Sequence, residues 1–278
     1  MTPKAGSVTL GGVKIHLPDP ATLKPRFIGD DEALRLLAAA WSVYSKTDHP
    51  MSPAIQGKSG VGKTTLALFC AQSIFKLPAW IFSCTSETEP EELIAYPVAD
   101  EKKGLQYMAS PILAAMVNGG ALILEDASRL SEKAWSTLAP LLDERRYLES
   151  PELGIRIVAK ESFRFVATLS EGSLVYHLPD FIHSRLAPRL TLHLPSQDDI
   201  KDILRHHVEL ADEKLVEKVA AFVKNAPTHV SLRDGNNILS FASKLHSSAG
   251  IPLERAFDMS LEHNLRPGRL DLVRPVKK

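Results

Sequence analysis

Nine residues, "GKSGVGKTT" at 57–65, restrict the fold of this chain more than any other stretch. They satisfy the spacing G-x-x-x-x-G-K-[ST] through Gly57, Gly62, Lys63 and Thr64. An apolar run, "AIQ" at 54–56, leads in, and the amphipathic pattern "TTLALFCAQSIF" leads out. Glycines at such positions let consecutive backbone N–H groups turn inward on phosphate oxygens, and the helix that begins there adds its positive end. The loop works only between a strand and a helix, so the chain is committed to a βα unit.

The alternation continues downstream. Strand patterns "AWIFSC" (79–84), "ALIL" (121–124) and "FRFVATLS" (163–170) are separated by helical patterns "PILAAMVN" (111–118) and "SEKAWSTLAPLLDERR" (131–146). The last of these buries Trp135, Leu138 and Leu142 on one face, with a kink expected at Pro140. "YLES" and "GIRIVAK" have hairpin character, and the acid-rich stretch "TSETEPEELIAYPVADEKKG" (85–104) follows "AWIFSC". Strands alternating with helices imply an α/β fold, a parallel sheet with helices on both faces.

Flanking segments read differently. Residues 1–26 suggest an extended arm or a small hairpin, and "FIGDDEALRLLAAAWSVY" a helix capped by Asp30 or Asp31, with Leu34, Leu37, Trp41 and Tyr44 on one face. After about residue 195 the pattern is helical only: Ser196 pairs with Asp199 as a cap, Ser231 caps another helix, and Pro252 stands where a first turn tolerates it. The expected domains are an arm (1–26), an α/β core (27–195), a small all-α lid (196–265) and a basic, solvated tail (266–278).

Charge narrows the function classes. With 33 basic and 33 acidic side chains the formal net charge is zero, which removes the bulk electrostatic drive toward nucleic acid or an anionic membrane. The two cysteines, Cys70 and Cys84, form neither a disulfide framework nor a metal spacing. The N-terminal residues lack the apolar core of a signal peptide, and no apolar run reaches the roughly 18 residues of a membrane helix. A cytoplasmic protein without membrane insertion is expected.

Taken together, "FIGDDEAL", "GKSGVGKTT", "ETEPEELIAYP", "LILEDASRLSEKAWSTLAPLLDERR", "FRFVATLSEGS", "LPDFIHSRL" and "SLRDG" resemble the AAA+ ATPases of the MoxR-like, dynein-related group, over roughly residues 27–249. The resemblance implies a P-loop AAA+ core with a helical lid, ATP and Mg²⁺ as cofactors, and a ring, usually a hexamer. It makes Gly57, Ser59, Gly60, Val61, Gly62, Lys63, Thr64 and Thr65 the nucleotide-binding set. In that group the second acidic strand end usually reads Asp-Glu, Asp for the metal and Glu for water; here it reads Glu125-Asp126. Arg129 and the pair Glu144-Arg145 anchor a register in which Glu125 joins Thr64 in holding Mg²⁺ and Asp126 orients water. A competing register makes Asp126 the metal acid and leaves Ala127, which is inert, at the catalytic place.

The resemblance further implies a γ-phosphate sensor at Ser170, where the group carries Asn, and an arginine finger at Arg185, with Arg189 as the fallback. Arg233 stands at the place of the lid's sensor arginine. Residues 85–113, with Glu87, Glu89, Glu91 and Glu92, correspond to an insertion that moves in the ring's pore. The expected function is remodelling of a protein partner, in this group often one with a von Willebrand A-type domain. Exchanging Asp and Glu moves a carboxylate by about 1.5 Å, so slowed hydrolysis is expected, and restoring the usual order is expected to raise kcat. Two other readings stay open: an ATP-gated scaffold with little turnover, and a motor on nucleic acid.

Overall fold

The computed structural model describes residues 6–23, 25–100, 104–171, 178–226 and 230–265. The basic tail at 266–278 lies outside the described residues. The chain divides into two compact units, the first made of Met1–Phe27, Glu32–Gly57 and Lys63–Thr191, the second of Ile28–Asp31, Lys58–Gly62 and Leu192–Lys278.

The elements run in this order. An antiparallel hairpin pairs β1 (Ser7–Leu10) with β2 (Val13–His16). Helix α1 spans Asp31–Trp41, strand β3 Ala54–Gly57, helix α2 Lys63–Phe69 and strand β4 Ala79–Ser83. A second antiparallel hairpin joins β5 (Ala95–Asp100) to β6 (Gly104–Ala109), followed by α3 (Pro111–Asn118), β7 (Ala121–Glu125) and α4 (Glu132–Leu138). Strands β8 (Tyr147–Ser150) and β9 (Ile155–Val158) make a third hairpin. Then come β10 (Arg164–Ser170), α5 (Asp180–His183) and β11 (Arg189–Thr191). The second unit holds α6 (Gln197–His207), α7 (Glu213–Asn225), α8 (Leu232–Ala249) and α9 (Leu253–Asn264), with no strand among its described residues.

In the first unit the five strands β11-β3-β10-β7-β4 form one wholly parallel sheet. Its interior strands read as nearly continuous apolar runs because both faces are covered: Phe165 to Leu169 and Ala121 to Leu124 are all buried. The core continues into Trp135, Leu138 and Leu142 of the α4 region. The second unit has its own core, built on Leu204, Val219, Ile238 and Phe257. Ser196 with Asp199 and Ser231 with Asp234 each form a reciprocal capping box there, and Pro252 stands at the N-cap of α9.

Two expectations from the sequence are corrected. Helix α1 stops at Trp41, and Tyr44 is 90% exposed instead of sharing its buried face. The carbonyls of its last turn are taken otherwise: Ser42 Oγ donates to Ala38 O, and the Met51 N–H donates to Ala40 O. The long helix expected over 131–146 ends at Leu138 and tightens into a 3₁₀ turn at Ala139–Leu141, because Pro140 has no N–H and its ring crowds the preceding turn. The helix expected after the phosphate loop is present, and its second half, Cys70–Ile74, winds wider into a π-helical turn. The acid-rich stretch, to which the sequence assigns no element, leads into the β5–β6 hairpin, which joins the N-terminal hairpin in a four-stranded sheet, β1-β2-β6-β5. The junction is parallel, Ile15 opposite Tyr107 and His16 opposite Met108.

Candidate active site

Strand register builds the site. In the parallel sheet Ser170 lies opposite Gly57 and Ser83 opposite Glu125. The carboxyl ends of β3, β10, β7 and β4 thus finish in one row, the edge at which open α/β sheets bind ligands.

The phosphate loop leaves β3 at Gly57 and enters α2 at Lys63. Gly60 and Gly62 hold positive φ, 73° and 108°, which side-chain-bearing residues adopt at a cost. At Gly60 space is also a limit, since a Cβ would stand 2.6 Å from Ser231 Cβ and 3.6 Å from Arg233 Cβ. Arg233, in the first turn of α8, therefore lies beside the loop segment that belongs to its own unit. Val61 is buried and Ser59 exposed, while Thr64 and Thr65 are half-buried. Lys63 is only 7% exposed, and its Nζ donates to the Gly57 carbonyl at 2.8 Å. A cation held this close to the glycine turn gives the loop a fixed positive centre.

The two acids at the end of β7 have different partners. Thr64 Oγ1 donates to Glu125 Oε1 at 2.6 Å, and Ser83 Oγ donates to Glu125 Oε2 at 3.1 Å. Ser170 Oγ donates to Asp126 Oδ1 at 2.8 Å. The Asp126 N–H is in turn given to the buried Thr168 Oγ1 at 3.1 Å. Asp126 has left-handed backbone, φ 52°, a region in which Asp is among the few non-glycine residues at ease. That turn takes the chain off the strand, and the second carboxylate accepts from Ser170.

Ser83 and Thr168 were not among the residues singled out from the sequence. Their signal is faint: a polar residue ending an apolar run in "AWIFSC", and the Thr of "ATLS". Cys84 is next to Ser83, and burial, with Asp126 and Glu125 nearby, pushes its thiol up. It remains a neutral thiol at neutral pH.

Arg185 is placed elsewhere in the first unit. Its Nε donates to Asp143 Oδ2 at 3.0 Å and its Nη1 to the Phe181 carbonyl at 2.5 Å. Arg145 grips the same Asp143 with Nε and Nη2, at 2.9 and 2.8 Å. The hydrogen bonds from Arg145, and after them Arg185, hold the Asp143 carboxyl well below the usual range, so it stays charged. Arg189 contacts His183 Nδ1 and donates to the His183 carbonyl at 3.2 Å. Arg129 lies in the short turn after Asp126.

The donor set suits a magnesium ion that arrives with phosphate. Among the described residues no cluster of three or more His, Cys, Asp or Glu side chains could hold a metal by itself. Magnesium is usually bound by one or two carboxylates together with substrate phosphates and waters. A hydroxyl and a carboxylate side by side, as in Thr64 and Glu125, fit that pattern.

Known proteins with similar sequence or fold agree with this architecture. Residues 52–186 match the family model for the AAA domain of the dynein-related subfamily. An uncharacterized protein of Staphylococcus epidermidis is 24% identical over 226 residues, covering 77% of this chain and 84% of that protein. Among solved structures, the Thermotoga maritima RuvB Holliday junction branch migration motor superposes with a TM-score of 0.58 at 15% identity, over 85% of this chain and 70% of its own. A putative ATPase from Cytophaga hutchinsonii gives a TM-score of 0.51 at 14% identity, covering 88% and 79%. At such identities the structural likeness concerns the fold.

Proposed function

Since residues 52–186 belong to the AAA domain of the dynein-related subfamily, we propose that the chain is a ring-forming ATPase that drives the remodelling of a protein partner. The observation that carries the reading is the division of labour between two adjacent acids: Thr64 bonds to Glu125, and Ser170 bonds to Asp126. A phosphate-loop hydroxyl shares its ion with a carboxylate, so the first contact favours Glu125 as the metal-side acid. Asp126 is then the acid that orients water. The competing register, with Ala127 in that role, lacks such a contact.

Phosphoryl transfer to water depends on positioning and charge compensation more than on covalent chemistry. Lys63, the loop N–H groups and the start of α2 would receive the phosphates of ATP. Thr64 and Glu125 would hold Mg²⁺, which would supply charge neutralisation to the transferred phosphoryl group. Asp126, steadied by Ser170 and by the Thr168 contact to its N–H, would orient the attacking water and accept its proton. Arg185 of a neighbouring copy would compensate the charge that develops on the γ-phosphoryl group, and Arg233 would report nucleotide to the helical unit. A ring of copies, a hexamer by family likeness, is the form in which Arg185 can act.

Both shortened side chains meet: where the group has Asn and Glu, this chain has Ser170 and Asp126, and the two are at hydrogen-bonding distance. We therefore read the inverted acids as accommodated by their neighbours instead of as a brake.

The reading is tested by Lys63→Ala. Removing the buried ammonium is expected to weaken ATP binding, measured calorimetrically on the folded variant, by at least about 100-fold, in line with a charge-assisted contact of about 3 kcal/mol. Unchanged affinity sinks the ATPase proposal.

A further inference from the structure

A groove of about 430 Å³ opens in the first unit where the turn Pro90–Leu93, helix α4 and the hairpin β8–β9 meet. Its lining is mostly apolar and includes Ile94, Pro140 and Tyr147. Two of its charged neighbours are already engaged: Glu149 is paired with Arg156 at 2.6 Å, and Lys133 with Glu89 at 3.6 Å. Glu91 and Glu152 are exposed, line the groove from different segments, and enter no ion pair or side-chain hydrogen bond among the described residues. The groove therefore offers an apolar surface edged by two uncommitted negative charges.

The chain itself contains the complementary chemistry. Its last thirteen residues, "RPGRLDLVRPVKK", carry five basic side chains against one acid, interleaved with Leu, Val and Pro. Because the whole chain is formally neutral, a surplus of four positive charges there leaves a deficit of four on residues 1–265. We propose that the groove receives the basic segment 266–278 of a second copy of the chain, its positive charges meeting Glu91 and Glu152. Two unlike, complementary surfaces on one chain make a heterologous contact, which joins copies in series and closes into a ring when the rotation allows. The assignment to a second copy rests on the ring-forming reading above.

Disulfide trapping in the full chain tests the proposal. Ser136, exposed on α4 and lining the groove, is replaced by cysteine (S136C), together with V276C in the tail. Native Cys70 and Cys84 are buried, and burial pushes the Cys70 thiol up to about 12, so neither competes. After copper–phenanthroline oxidation, dimers and higher multimers are expected on a non-reducing gel. Glu91→Lys with Glu152→Lys should cut their yield about tenfold, and adding Arg274→Glu and Lys277→Glu should restore it, as expected for paired rim charges. Circular dichroism melts confirm that the charge variants fold. Only intramolecular product, no product, or a yield indifferent to the charges overturns the proposal. Sedimentation with ATP separates it from the ring reading. Assembly without this cross-link sinks the tail docking alone, whereas a charge-dependent cross-link without ATP-driven assembly sinks the ring alone.

Discussion

Asp126 shows how one backbone dihedral can decide a residue's job. The chain turns at φ 52° there, and the neighbouring acids take separate partners: Asp126 accepts from Ser170, Glu125 from Thr64 and Ser83. The 2.6 Å contact of Thr64 with Glu125 and the 2.8 Å contact of Ser170 with Asp126 both depend on side-chain length. Exchanging the acids, Glu125→Asp with Asp126→Glu, would open the first gap and crowd the second, each by about one C–C bond, or 1.5 Å. A misplacement of about 1 Å can cost on the order of 10²-fold in rate, so kcat of the exchanged protein is expected to fall by roughly that factor. A steady-state rate above that of the parent would mean that the native order is a brake after all. At this scale the sequence was informative wherever spacing along the chain carries the chemistry, as in Lys63 and Thr64. It was poor wherever lateral register does. Ser83 meets Glu125 only because β4 and β7 pair Ser83 opposite Glu125, and no local pattern shows that.

Among the elements, α1 is tied to the sheet at its last residue, Trp41, one of its buried side chains beside Leu37. Trp41 is fully buried, donates its indole N–H to the Phe165 carbonyl at 2.7 Å, and packs edge-on against Phe75. Its own carbonyl accepts from Arg164 Nε at 2.7 Å. Trp41→Ala removes the packing and leaves the Phe165 carbonyl without its side-chain donor. A loss of about 3–5 kcal/mol is expected, read as a lower urea midpoint with unchanged slope. A loss under about 1 kcal/mol would show that α1 is secured by other contacts. The buried helices and central strands were legible because burial on one or two faces imposes a period. Strand β5 was not, because Ala95 to Ala99 are apolar at every position and include Pro97, so no alternation marks a half-buried strand. The end of α1 was equally hidden, since it is set by competing donors to the last carbonyls and not by a residue that forbids helix.

The whole molecule divides its chemistry between local and assembled parts. Asp143 holds Arg185 within its own chain, ready to be offered to a neighbour's nucleotide in the proposed ring. An arginine finger supplied in trans is worth about 10³–10⁵ in rate. ATPase activity per chain is therefore expected to climb at least about 10-fold as concentration is raised through the assembly range, and Arg185→Ala should abolish the climb. Activity independent of concentration would argue for a self-sufficient monomer. The strand order has a further consequence, in time. β3, which leads into the phosphate loop, lies between β10 and β11, both made long after it. On a ribosome adding roughly 5–20 residues per second, β3 waits on the order of ten seconds for both neighbours. During synthesis the nucleotide-binding loop exists as sequence well before it exists as a site, so a nascent chain cut short before residue 191 should not yet retain ATP.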